Sequence, residues 1–134
     1  MFLNTCSIKK GGVIDVVHKF ADCNRIDILC FAETWLTQSV TDAELSSNGK
    51  FNVFRRDRAT RGGGVLTLTR KHLQCTQSNV AMRSEMMCVD VLCGRSVFRL
   101  VTAYSAGTSS ADDNLAQMDT MIGELNGLCE IDIP

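Results

Sequence analysis

The chain has 134 residues, 45% of them apolar and 22% charged, with a formal net charge of −1. That length builds one domain, 1–134, with a core of its own; a charge so near zero excludes protein-wide attraction for polyanions, leaving nucleic acid only a local patch. No apolar run approaches the roughly 18 residues of a membrane span, and MFLNTCSIKKGG lacks the features of a signal peptide, so an intracellular location, nuclear or cytoplasmic, is expected.

Residues 1–8 read as a short opening strand that ends at Asn4-Thr5-Cys6-Ser7 and is broken by Gly11-Gly12. Val13, Val16, Val17, Phe20 and Ala21 then recur at i, i+3, i+4, i+7 and i+8, one face of a helix. Asp15 suits its first turn, and His18 and Lys19 fall on the other face, which predicts a solvated His18. The helix should stop at Asn24 or Arg25. The apolar run 26–31 follows and reads as a strand buried on both faces. Strand, helix and strand within about thirty residues form a βαβ unit with parallel strands.

Glu33 comes next, followed by Thr34, Trp35 and Leu36. A carboxylate just past the carboxyl end of such a strand stands where α/β sheets place their ligands. Taken alone, it reads as a solvated loop acid. Residues 37–49 are polar, a loop with one helical turn at Asp42–Leu45. Asp42 and Glu44 read there as a cap rather than as a paired acid site. Residues 51–55 form a strand, and Arg55, Arg56, Asp57, Arg58 and Arg61 make a basic turn closed by Gly62-Gly63-Gly64. Residues 65–69 alternate in the β manner and should pair with 51–55 as a hairpin. The turn reads either as a phosphate contact or as a solvated tip partly neutralised by Asp57. The glycines lack the Lys and Ser/Thr of a P-loop, and a strand rather than a helix follows them.

Residues 74–80 can form another strand, and 86–93 and 96–103 form a stronger pair turning at Gly94-Arg95. Glu85, at the start of that pair, can face a cleft, and Tyr104 stands at its end. Ser110 and Asp113 have capping-box spacing. Behind them Leu115, Met118, Ile122 and Leu125 stripe a helix, read as core, that should stop at Asn126-Gly127. Residues 129–134 look like the start of a further strand. The seven cysteines contain no C-x-x-C pair and read as buried thiols of a reducing compartment.

Four features thus stand in order: Asn4 at one strand end, Glu33 at the next, the Arg/Gly-rich hairpin, and Tyr104 at a later strand end. The strings NTCSI, DILCFAETWL, DAEL, FNVFRRDRATRGGGVL and FRLVTAY resemble the endonuclease/exonuclease/phosphatase family, closest to the endonuclease domain of non-LTR retrotransposon polyproteins. ETWL and FRRDR-x-x-RGGGV are the most specific of these marks. The resemblance runs from about residue 3 to the last residue and covers only the N-terminal part of the family domain.

This resemblance implies an incomplete four-layer α/β sandwich, roughly its N-terminal half, with mixed β-sheets flanked by helices. It implies cleavage of the DNA backbone with a divalent metal, usually magnesium (Mg2+). By position Asn4 and Glu33 match the family's metal-holding asparagine and glutamate, and Tyr104 matches the tyrosine on the scissile phosphate. A hard cation suits such oxygen donors. The departures are Cys6 where an arginine is usual and Ser105-Ala106-Gly107 in place of a basic residue and prolines. The Gly-Asp-Phe-Asn and Ser-Asp-His segments, which carry the water-orienting and proton-transfer groups, would follow Pro134, and neither His18 nor His72 stands where that histidine belongs. The expectation is therefore a fragment of a DNA endonuclease, an enzyme by kinship but inactive alone, holding Mg2+ weakly or not at all. A reverse transcriptase downstream in a longer polyprotein is the further partner implied. The alternatives are a non-catalytic nucleic-acid binder using Arg55, Arg56, Arg58 and Arg61, or a degenerate remnant prone to aggregate through uncovered strand edges.

Overall fold

The computed structural model describes residues 1–130. The elements run β1 (Phe2–Asn4), α1 (Val13–Cys23), β2 (Ile28–Ala32), α2 (Asp42–Leu45), β3 (Phe51–Arg56), β4 (Val65–Arg70), β5 (Gln74–Gln77), β6 (Glu85–Cys93), β7 (Ser96–Tyr104) and α3 (Ala111–Glu130). Two sheets result, one ordered β1-β2-β4-β3 and one ordered β5-β6-β7. The β1–β2 pair is parallel, as a strand–helix–strand unit demands, and the other pairs are antiparallel. This is a mixed α/β architecture of two sheets flanked by helices.

The two-residue alternation of β2 and β4 separates two cores. Leu29, Phe31, Leu66 and Leu68 face α1, where they pack with Val17 and Ala21. Val65 points the other way and packs with Met87, Val89 and Val91 of β6. Between the sheets the Thr67 and Thr102 hydroxyls meet at 2.8 Å, so neither is buried without a partner. The β6–β7 hairpin closes through Gly94-Arg95, with Cys93 opposite Ser96 and Gly94 at φ 63°. The turn at Asp42–Leu45 is capped by Thr41: its backbone N–H donates to the Glu44 carboxylate at 2.9 Å, and its hydroxyl accepts from the Glu44 N–H.

Several expectations are corrected. In α1 the buried residues are Val17, His18 and Ala21, whereas Val16 and Phe20 are 66% and 51% exposed. The helix is rotated so that His18, not Val16, meets the sheet, and its imidazole stacks on Phe51 at 5.3 Å and 14°. Counting polar and apolar letters misplaces a flat ring that packs like an aromatic. In α3 the helix runs through Asn126 and Gly127 to Glu130, so Cys129 and Glu130 are helical and not strand; the rest of the strand expected at 129–134 lies outside the described residues. Leu115, Met118 and Ile122 are 59%, 55% and 51% exposed, because the sheet holds an adjacent face through Glu124 and Leu128. Finally, only Cys30 and Cys88 are buried thiols; Cys75 is half-buried, and Cys6, Cys23, Cys93 and Cys129 are exposed.

The segment that places the site is a clamp between 33–35 and 62–64. Thr34 N–H donates to Gly64 C=O at 3.2 Å and Trp35 N–H to Gly63 C=O at 2.9 Å. Gly62, Gly63 and Gly64 all take positive φ, at 87°, 68° and 87°. A Cβ on Gly64 would lie 2.6 Å from the Oγ1 of Thr34, a side chain with no exposed surface. Conformation and space both demand glycine there.

Two outcomes follow for stability. Gly64→Ala should cost about 2 kcal/mol or more and Gly94→Ala, where a Cβ meets nothing within 4 Å, about 1 kcal/mol; chemical denaturation compares them, and equal losses would contradict the clamp. Burial holds the His18 imidazole below its ordinary pKa of 6.5. The unfolded chain then takes up a proton that the folded chain refuses, so stability should fall as pH drops below 6.5 towards the folded value. Denaturation at pH 7.5 and 5.5 should show that loss in the wild type and its disappearance in His18→Phe.

Candidate active site

Glu33 leaves β2 with φ 54°, a left-handed conformation uncommon for a side-chain-bearing residue, and Trp35 repeats it at 53°. The reason is that the turn is held from two sides, by the end of β1 and by the glycine loop. Glu33 C=O accepts from Ser7 N–H at 2.8 Å and from the Thr5 hydroxyl at 3.2 Å, while Thr34 C=O accepts from Ile8 N–H. With the main chain fixed in this turn, the Glu33 side chain lies over the end of β1. Asn4 Nδ2 donates to its Oε1 at 3.1 Å, the Cys6 thiol donates to its Oε2 at 3.2 Å, and the Tyr104 phenol stands near the same carboxylate. The structure thus brings together Asn4, Glu33 and Tyr104, which lie on or just beyond β1, β2 and β7.

These contacts set the protonation states. The bonds from Asn4 and Cys6, and then the nearby Tyr104 phenol, hold the Glu33 carboxyl below its ordinary value, so it is an anion at neutral pH. Burial, and then the Glu33 carboxylate beside it, push the Tyr104 phenol up, and the bond to Glu33 does the same to the Cys6 thiol. The site therefore holds one carboxylate among protonated donors. Cys6, noted in the sequence only as a departure from the family pattern, is part of this cluster; its Asn4-x-Cys6 spacing, which also lets Cys6 N–H donate to Asn4 Oδ1 at 3.3 Å, was the available signal.

Glu85 stands opposite Tyr104 in the β6–β7 ladder. It lines the cleft, as its strand-end position allowed, and its carboxylate accepts from Gly64 N–H with Arg58 at 3.8 Å. Glu85 is the tether that joins the glycine loop to the second sheet.

The basic turn divides. Arg55 donates to Asp57 at 2.9 Å, to Val40 C=O at 2.7 Å and to Thr37 C=O at 2.9 Å. Arg56 donates to the carbonyls of Ser84, Met82 and Met86 at 2.7, 2.8 and 3.0 Å, fastening β3 to β6. Both are internal fasteners rather than parts of a solvated tip. Arg58 and Arg61 are exposed, with the Arg61 guanidinium 5.7 Å from the Trp35 ring.

Towards a divalent cation the site offers the Glu33 carboxylate and the Asn4 amide oxygen. These are hard donors of the right kind for Mg2+, yet too few to complete its shell without phosphate oxygens and water. Among the described residues no group of three or more His, Cys, Asp and Glu could hold a metal. The histidines are elsewhere: His18 is in the α1 core, and His72 lies 3.6 Å from Asp27, at the opposite end of β2 from Glu33.

Neither a protein-family model nor a curated protein matches the chain. Solved structures do. The endonuclease domain of TRAS1, a telomere-specific non-LTR retrotransposon, superposes with a TM-score of 0.62 at 12% identity, over 92% of this chain and 52% of that one. Truncated TDP2 from Caenorhabditis elegans gives 0.62 at 12% identity, over 95% and 53%. TDP2 from D. rerio, complexed with a single-strand DNA product, gives 0.64 at 10% identity, over 93% and 53%. The chain spans about half the length of these proteins. Across nearly all of its own length the chain shares the fold of these endonuclease and TDP2 structures.

Proposed function

We propose that the groove where Asn4, Glu33 and Tyr104 meet binds the phosphodiester backbone of DNA, as the phosphate-holding part of a metal-assisted phosphodiesterase site. The observation that supports this reading is the convergence itself: an amide hydrogen-bonded to a carboxylate, with a phenol beside it, all distant in sequence. Glu33 and Asn4 are the residues that would hold a divalent cation such as Mg2+, together with phosphate oxygens. Bound there, the ion would polarise the phosphate and offset charge on the leaving oxygen. Tyr104, which keeps its proton at neutral pH, turns from Glu33 to donate to a phosphate oxygen. Arg58 and Arg61 add positive charge at the mouth.

The described residues bring no histidine to the groove, and its one carboxylate is held in its charged form, too weak a base for proton abstraction. The chain alone is accordingly read as binding without cutting. The finer reading, part of a non-LTR retrotransposon endonuclease neighbouring a reverse transcriptase, rests on the ETWL and FRRDR-x-x-RGGGV strings. The second reading, a non-catalytic binder, is favoured by the exposure of Arg58 and Arg61 and needs no metal.

Fluorescence anisotropy with labelled DNA separates the two. Mg2+ should tighten binding about tenfold, and Glu33→Gln should remove that gain. Binding indifferent to Mg2+ and to Glu33→Gln would leave only the basic loop. Supercoiled plasmid should stay intact with Mg2+; nicking that Glu33→Ala abolishes would contradict the inactive reading.

A further inference from the structure

Phe2 and Phe98 are large apolar side chains left in the open, 59% and 43% exposed, although both stand in rows that face the space between the sheets. The strand register places them there. Thr67 meets Thr102 between the sheets, Cys30 lies beside Thr67, and Phe2 lies beside Cys30. Phe98 and Leu100 share the face of Thr102 by the two-residue alternation of β7. β6 packs over β3 and β4, and β7 over β4 and β2, so β1 projects one strand beyond β7 on that side. The sandwich therefore has an open, stepped flank, with Phe2 on the projecting layer and Phe98 on the recessed one. Among the described residues no strand pairs with the outer edge of β1 or of β7. β7 is nine residues long and contains no Lys, Pro or Gly to blunt that edge. On the opposite flank the second sheet ends in β5, only four residues reading QCTQ.

We propose that this flank binds a second copy of the chain in a closed two-fold dimer. The proposal stands apart from the reading of the Glu33 groove. Its first support is shape. A half-turn about an axis running along the strands, between the two layers, brings the recessed β7 of each copy beside the projecting β1 of the other. Both steps are filled, and Phe2 of one copy meets Phe98 of the other. The second support is charge. Arg99 is the one charged side chain in β1 and β7, and it is held on the outer face by Asp90 at 2.7 Å and Leu128 C=O at 2.6 Å, so no like charges meet. The third is area. An edge of nine residues is about 30 Å long and two stacked layers are roughly 20 Å deep, giving about 600 Å² per copy against the roughly 800 Å² of a standard interface. The same surface is used up on both copies, so assembly stops at two. The exposed Leu115, Met118 and Ile122 of α3 form the other apolar surface, but a helix offers no unpaired main chain along its side.

Sedimentation velocity of the intact chain over a range of concentrations is the test. It should show one copy converting to two and nothing larger. Phe98→Lys and Phe2→Lys each enter the interface twice and should weaken the dimer at least tenfold. Both side chains are exposed in the single copy, so matching circular dichroism spectra establish that each variant is folded. Ile122→Ser, on α3, should leave the dimer unchanged. Amide hydrogen exchange across 96–104 of the wild type should slow as the dimer forms, a readout that needs no substitution. A single copy at every concentration overturns the proposal, as does growth beyond two copies. Loss of the dimer in Ile122→Ser with Phe98→Lys unaffected moves the interface to α3 and overturns it equally.

Discussion

Two peptide hydrogen bonds, Thr34 N–H to Gly64 C=O and Trp35 N–H to Gly63 C=O, carry more of this structure than any side chain does. They join the turn after β2 to the turn before β4 and force Glu33 and Trp35 into left-handed backbone. Such conformations cost on the order of 1–3 kcal/mol each and persist only where the surroundings over-determine them. Here the surroundings do: β1 holds the same turn from the other side through Ser7 and Ile8, and Glu85 ties the glycine loop to the second sheet. The carboxylate of Glu33 is therefore aimed by the main chain, and its aim depends on both sheets being assembled. The most specific sequence strings, ETWL and RGGGV, are the two sides of one clamp.

Electrostatics complete the picture. A single carboxylate accepts from Asn4 and Cys6 beside the Tyr104 phenol, so Glu33 is satisfied internally. On the proposed reading, a cation entering the groove would displace the Cys6 thiol from Glu33, and phosphate oxygens arriving with it would compensate. Cation and phosphate binding would then be mutually dependent. Tyr104, protonated beside Glu33, would have a hydrogen bond to give to such a phosphate. A sulfur donor 3.2 Å from the carboxylate distinguishes this groove from an all-oxygen cation site.

Much of the fold was legible. The strand–helix–strand start, the β3–β4 hairpin, the turn at Asp42–Leu45 and the Gly94-Arg95 hairpin followed from alternation and turn chemistry, which are local properties. What was not legible depended on partners distant in sequence. The rotation of α1 is decided by Phe51, more than thirty positions beyond His18, and no helical period reveals it. The length of α3 escaped because Arg99 binds the Leu128 carbonyl and Glu124 binds the chain before β6, support that overrides an Asn-Gly stop signal. Arg55 and Arg56 looked like a patch because charge is visible in sequence while the carbonyls that absorb it are not. Asn4, Glu33 and Tyr104 were named through the family resemblance; geometry then added Cys6 and explained the glycines.

The central claim is that the side chains of residues 4, 33 and 104 form one cation-and-phosphate groove. Paramagnetic broadening by Mn2+ in the presence of a short DNA strand reports its location directly, in a nuclear magnetic resonance spectrum of the intact chain. The account predicts that signals of Asn4, Glu33 and Tyr104 and their immediate neighbours broaden first, and that Glu33→Gln abolishes the effect. Broadening centred instead on the acidic start of α3 at Asp112 and Asp113, or broadening unchanged in Glu33→Gln, would contradict it.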